Sequence, residues 1–266
     1  MTIYAPPSEE IQREIRNRQT WIVIPAAGTG SRFSEVKPKQ YEEFFGQTIL
    51  EFTLKKLLEI EHIKVIIAVN PKENLWRNLS GLKHPSVEIV MGGKTRRDSV
   101  FLALKHIKER ASRFDWILVH DAARPCVQLS DIKNLFDKTA SYQIGGILAT
   151  RPVGTFKRVE LSGAVSGNNS VSSVENTSLS YIVEAQTPQL FYFELLYSAL
   201  KKSKLENRMT TDESSAVENF LLNNDTSYPG GHDTIIVECS SDNIKITRPE
   251  DIAIAKAIII NQQEKL

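Results

Sequence analysis

With 266 residues, 41% of them hydrophobic, the chain can bury one substantial core. Its 33 basic and 32 acidic side chains nearly cancel, which excludes a whole-molecule field drawing it to nucleic acid or a membrane, so any anion site must be local. Two cysteines, Cys126 and Cys239, are too few for a disulfide framework and read as free thiols; no run approaches the ~18 apolar residues of a membrane span, and a cytoplasmic location is expected.

Residues 1–20 are polar, mixed in charge and lack the apolar centre of a signal peptide; they read as an extension before one domain spanning 21–266. WIVIPA (21–26), KVIIAV (64–69), VEIVM (87–91) and WILVH (116–120) are short, β-branched and apolar throughout, as strands buried on both faces are. Helical spacing follows at 49–60, with Leu50, Leu54, Leu57 and Leu58 on one face, and at 95–110, with Val100, Phe101, Leu104 and Ile107. A helix over 129–142 and a strand over 145–150 complete a doubly wound α/β pattern with a mostly parallel sheet, whose ligand crevice lies at the strands' C-terminal ends. From about 151 to 186 the helical period disappears and Ser, Gly and Asn accumulate, which predicts a projecting β-hairpin arm turning at Gly163–Asn169. Helices are then expected at 191–203 and 212–224, and strands at 234–239 and 243–247. A closing helix follows, with Thr247 and Glu250 as a capping box and Pro249 in its first turn.

Gly28 and Gly30 follow the first strand directly, where bare backbone lets N–H groups approach a phosphate. A dinucleotide fingerprint is excluded because its third glycine is Phe33 and the second strand ends in Asn70 rather than an acid. A Walker loop at GGKT (92–95) is excluded because its first glycine is Glu88. What remains is a glycine loop hung with Arg32, Lys37 and Lys39, a set suited to stabilising a nucleotidyl-transfer transition state by positioned charge. HDAARP (120–125) follows the fourth strand and emerges at the same edge. There Asp121 suits Mg²⁺ carried by phosphate oxygens, Arg124 suits a bidentate phosphate clamp, and His120 reads as a packed residue rather than a base.

Together PAAGTGSR, PKQY, GGKTRRDSV, VHDAARP, AQTPQLF, TDESSAVE and DNIKITRPEDIAIA resemble, in this order, the 2-C-methyl-D-erythritol 4-phosphate cytidylyltransferases. The resemblance implies a nucleotidyltransferase-like fold, a homodimer built through the β-arm, and Mg²⁺-dependent transfer of CMP from CTP to a polyol phosphate with release of pyrophosphate. It assigns catalytic roles to Arg32, Lys39 and Lys245, and nucleotide contacts to Ala26, Ala27, Gly28, Gly30, Gly92, Ser99 and Ala122. It places Asp121, Arg124, Thr155, Lys157, Thr187 and Thr211 beside the phosphorylated acceptor, Thr155 reaching the partner subunit's site and Asp121 holding the metal.

Three positions depart from the family pattern: Gly154 replaces an acid, and Ser178 and Leu179 replace an Asp-Arg pair whose arginine faces the acceptor phosphate. Lys157 and Arg158 are the cations near enough in sequence to supply that charge. Two alternatives stay open at this point. One is a sister family acting on ribitol 5-phosphate, which more often reads AGG and DAVRP where this chain has AAG and DAARP; the other is a nucleotide-binding module without activity.

Overall fold

The apolar run at Trp21 becomes an interior strand of a seven-stranded sheet in the computed structural model, which describes residues 17–29, 33, 37–140, 144–152, 182–223 and 234–264. The strands are β1 (Thr20–Ala26), β4 (Lys64–Val69), β5 (Val87–Met91), β6 (Trp116–Val119), β7 (Gly145–Thr150), β8 (Glu184–Tyr192) and β9 (Ile235–Glu238), ordered β5-β4-β1-β6-β8-β7-β9. Neighbours from β5 to β6 are parallel, as are β7 and β9, whereas β8 runs antiparallel to both β6 and β7. Val65 to Val69, Ile22 to Ile24 and Trp116 to Val119 are all buried, which is why these strands carry no polar alternation.

Strand β8 corrects the expectation for this stretch. Residues 191–192 belong to it, and the helix expected at 191–203 is α4 (Phe193–Leu205). The other helices are α1 (Ile49–Leu57), α2 (Arg96–Ile107), α3 (Leu129–Thr139), α5 (Glu213–Leu222) and α6 (Asp251–Glu264). Helix α2 packs on β1, β4 and β5, α3 on β7, β8 and β9, and α4 on β6 and β8. Between β4 and β5 the chain makes only 3-10 turns, at Leu75–Asn78 and Gly81–Lys83. A small hairpin, β2 (Glu43–Phe44) and β3 (Gln47–Thr48), turns through Phe45 and Gly46 with φ of 53° and 75°, a double left-handed turn that glycine eases at its second position only. Thr48 then caps α1 in a reciprocal box with Glu51.

Two further corrections fall at the C-terminal end. The 243–247 stretch is not a strand and lies outside the sheet. Its apolar alternation has another cause, since Ile246 is fully buried with Phe44, Ile49, Ala123, Cys126, Ala255 and Ile259 in a second, smaller core, with Ile244 packed against it. Helix α6 begins at Asp251, so Pro249 precedes it, and Asp251 rather than Glu250 supplies the cap: its Oδ2 accepts from Thr247 N (2.7 Å), Thr247 Oγ1 (2.9 Å) and Arg248 N (2.8 Å).

Most of the expected arm, the turn at 163–169 and residues 1–16 lie outside the described residues, as do Gly154, Ser178 and Leu179. Among the described residues no helix is long and apolar enough to cross a membrane.

Candidate active site

The C-terminal ends of β1 and β6 open into a cavity of about 370 Å³. Its described lining includes Ala26, Ala27, Gly28, Lys39, Ser99, Asp121, Ala122 and Lys245, so two clusters nearly a hundred residues apart in sequence meet at one sheet edge. Lys94 and Arg96 line it as well. Among the described lining residues, Lys39, Lys94, Arg96 and Lys245 face the single carboxylate of Asp121, an excess of positive charge that suits a polyanion.

Not every candidate takes its expected place. Gly92 is buried behind the wall, its N–H donating to Val69 O at 2.8 Å, and Gly93 forms the cavity surface instead. A Cβ on Gly92 would lie 2.4 Å from Ala27 Cβ, so its lack of a side chain lets the two loops touch. Ser99 Oγ accepts from Gly93 N (3.1 Å) and donates to Thr95 O (2.9 Å), which shapes that turn. Arg124 and Thr187 are buried and do not line the cavity, and Thr211 is exposed beside Asp212, the N-cap of α5. Lys37 pairs with Glu42 at 3.7 Å. Gly30, Arg32, Thr155, Lys157 and Arg158 lie outside the described residues.

Around Gly28 the glycine loop is held from below by a residue the sequence reading passed over. Gln40 Nε2 donates to both Ala26 O and Gly28 O at 2.9 Å. Because a trans peptide sets C=O and the next N–H in opposite directions, the N–H groups of Ala27 and Thr29 point away from Gln40. The same 3-10 turn, Lys39–Tyr41, presents Lys39, whose Nζ donates to Ile246 O at 2.5 Å. Among the described residues a Cβ on Gly28 would meet nothing within 4 Å, so their packing does not demand glycine there.

Asp121 is the electrostatic hub. Lys245 Nζ lies 2.7 Å from its Oδ2, Arg96 Nε 2.8 Å from its Oδ1, and Arg124 Nε 3.8 Å away. Burial pushes this carboxyl up, but Arg96, then Lys245 and Arg124, override it and hold it well below the usual carboxylate range. Arg96 reaches onward through Nη1 to Glu213 Oε1 at 2.6 Å. Glu213 is buried at the first turn of α5, and there desolvation wins over Arg96, leaving its carboxyl raised. Arg96 and Glu213 were invisible as site residues because their pairing spans 117 positions.

His120 is fully buried, and burial pushes its imidazole down to about 4, so it is neutral. A carbonyl only accepts; Nε2 therefore donates to Arg124 O (3.1 Å), leaving Nδ1 to accept from Thr187 Oγ1 (3.1 Å). Thr187 Oγ1 in turn accepts from Asp121 N at 3.1 Å. This chain of bonds fixes the backbone from which Asp121 projects, and it agrees with His120 as a packed residue.

Among the described residues no group of three or more His, Cys, Asp or Glu side chains could hold a metal. Asp121 offers one carboxylate, and both its oxygens are engaged by cations. That donor set does not fit a resident ion held by protein alone; it fits a Mg²⁺ that arrives on phosphate oxygens and takes Asp121 as an additional ligand.

The family profile of 2-C-methyl-D-erythritol 4-phosphate cytidylyltransferase matches residues 20–261. The chain is 38% identical over 244 residues to the protein of that name from Vibrio vulnificus strain YJ016, covering 91% of this chain and 95% of the relative. It is 40% identical over 234 residues to the one from Pseudomonas savastanoi pv. phaseolicola, covering 87% and 92%. A crystal structure of the Francisella tularensis 2-C-methyl-D-erythritol 4-phosphate cytidylyltransferase superposes with a TM-score of 0.71 at 36% identity, covering 90% of this chain and 99% of that one. The order of motifs, the cationic cavity at the sheet edge and these matches agree: the chain belongs to the 2-C-methyl-D-erythritol 4-phosphate cytidylyltransferase family.

Proposed function

We propose that this chain transfers CMP from CTP to 2-C-methyl-D-erythritol 4-phosphate, releasing pyrophosphate. The observation that carries the reading is the cavity where β1 and β6 end, in which Lys39, Lys94, Arg96 and Lys245 outnumber one carboxylate. The acceptor's phosphate oxygen attacks the α-phosphorus, a P–O bond forms as the bond to the β-phosphate oxygen breaks, and the pyrophosphate leaves with the electron pair. An ionised phosphate is already the nucleophile, so no general base is required, in keeping with a buried, neutral His120.

Lys39 stands beside the glycine loop, where it meets the charge growing on the leaving pyrophosphate, with Arg32 assigned to the same task by its place in the motif. Lys245 neutralises the α-phosphate under attack. Ala26, Ala27, Gly28 and Ser99 shape the nucleotide's side of the cavity. Asp121 would hold Mg²⁺ together with phosphate oxygens, and the ion would neutralise phosphate charge and orient the triphosphate. Thr155 and Lys157, in the segment expected to form a dimer arm, extend the proposal to a homodimer whose copies complete each other's acceptor pocket.

The test is pyrophosphate release from CTP with each of two acceptors. Turnover with methylerythritol phosphate at least about tenfold faster than with ribitol 5-phosphate is expected, the scale on which a pocket separates close analogues. Faster turnover with ribitol 5-phosphate would replace the acceptor. CTP binding without pyrophosphate release from either would leave a binding module.

A further inference from the structure

We propose that Asn243 is a positioning residue for Lys245, and that Arg124 is the second anchor of the same strut rather than a clamp on substrate phosphate. The proposal rests on the reading that Lys245 acts on the transferred phosphoryl group.

The segment that carries Lys245 has no ladder to hold it, because 243–247 lies outside the sheet. A catalytic cation on an unsupported strip of chain would sample many positions, and electrostatic stabilisation of a transition state depends on the charge being placed beforehand. Asn243 supplies the fastening. Its Nδ2 donates to Thr187 O at 2.8 Å, which ties the segment to β8. Its own carbonyl accepts from Arg124 Nη1 at 2.6 Å, which ties it to the turn after β6. Ile246 N donates to Ala123 O at 2.9 Å and closes the far side. Lys245 is thus bracketed, two residues from one anchor and one from the other.

Neither anchor reaches the cavity. Asn243 is 0% exposed and Arg124 6%, and neither lines the space that Lys245 and Asp121 share. Arg124 has spent Nη1 on a main-chain carbonyl. A clamp would need its fork turned to the ligand; here Nη1 is held by the polypeptide and the side chain is buried outside the cavity lining. The strut also joins the two halves of the hub. Thr187, whose carbonyl takes Asn243, receives Asp121 N on its hydroxyl, so one residue of β8 sets the separation of Asp121 from Lys245.

A double-mutant cycle on steady-state CMP transfer tests this. Asn243→Ala is expected to lower kcat about tenfold or more with KM for CTP little changed, since small misplacements of a catalytic group cost up to ~10²-fold. In a Lys245→Ala background the same substitution is expected to cost less than about twofold, because coupled residues are non-additive. Arg124→Lys goes through the same cycle: non-additive loss in kcat supports the strut, whereas a rise in KM for the acceptor that persists without Lys245 overturns it in favour of the clamp. Full additivity for Asn243 also overturns it. If Lys245→Ala alone leaves kcat intact, the catalytic reading of Lys245 fails first and takes the strut with it. Should the alanine variant not fold, Asn243→Ser, which keeps a donor on a shorter arm, is measured instead under the same criteria.

Discussion

Lys245 Nζ rests 2.7 Å from Asp121 Oδ2, and that contact joins the HDAARP motif to the DNIKIT motif. Lys39 is parked in a similar way, on Ile246 O. Before a triphosphate arrives, both lysines therefore hold internal acceptors at the cavity wall, close to where phosphate oxygens would take them over. The exchange keeps their charge satisfied in either state.

On the proposed mechanism, replacing either lysine removes one preplaced charge from the transition state. Lys39→Ala and Lys245→Ala are each expected to lower kcat by about 10²-fold or more. Steady-state pyrophosphate release checks this, and near-parental rates in both variants would cancel the assigned roles.

Gly28 separates a ligand's demand from a packing demand. Since an added Cβ meets nothing within 4 Å among the described residues, Gly28→Ala is expected to stay within about 0.5 kcal/mol of the parent in urea unfolding. If phosphate approaches bare backbone here as proposed, the methyl group would obstruct it, so KM for CTP is expected to rise about tenfold, roughly 1.4 kcal/mol of lost binding. Unfolding at much lower urea with unchanged KM would mean that the glycine serves the fold and not the nucleotide.

Arg96 is predicted to matter more for the fold than its motif suggests. Removing it strands Glu213, which is 1% exposed, and takes one partner from Asp121. Breaking a buried pair this way costs about 3–5 kcal/mol, so Arg96→Ala should unfold at far lower urea than the parent. A loss under about 1 kcal/mol would show the network to be dispensable, as surface ion pairs are.

His120 gives a pH dependence of definite sign. Its folded value, pushed down to about 4 by burial, lies below the ~6.5 of an unfolded histidine. Between those values the unfolded chain binds a proton that the folded chain does not, so stability is present above ~6.5 and is lost as pH falls toward 4, by about 3 kcal/mol in all. Unfolding free energies measured across that window should slope less steeply in a His120→Asn variant. Parallel slopes for the two proteins would show that His120 is not held neutral by the fold.

The parallel half of the sheet is legible from sequence because strands buried on both faces leave continuous apolar runs, as at Ile22–Ile24 and Val65–Val69. Strand β8 is not, because buried Gln186, Thr187 and Gln189 surround Pro188 and break the apolar run that a buried strand would otherwise show. Those polar groups are matched far away: Gln189 donates to Asp212 Oδ2 and accepts from Ser214 N. Arg96 shows the same limit within the site. It stands next to Arg97, and only the folded chain turns one to Asp121 and Glu213 and the other to Ser203 and Arg208 O. Gln40 lies within PKQY, yet its role as a brace depends on the loop's carbonyls, which only the fold brings to it. Local pattern marks what is buried and what is charged; which charges share a cavity is settled by the strand order.

The most direct measurement is a crystal structure of the protein with CTP and Mg²⁺. The triphosphate is expected over the Ala26–Gly28 loop, with Lys39 Nζ drawn off Ile246 O and Lys245 Nζ off Asp121 Oδ2 onto phosphate oxygens. A nucleotide whose phosphates settle elsewhere, with both lysines still on those internal acceptors, would contradict the account.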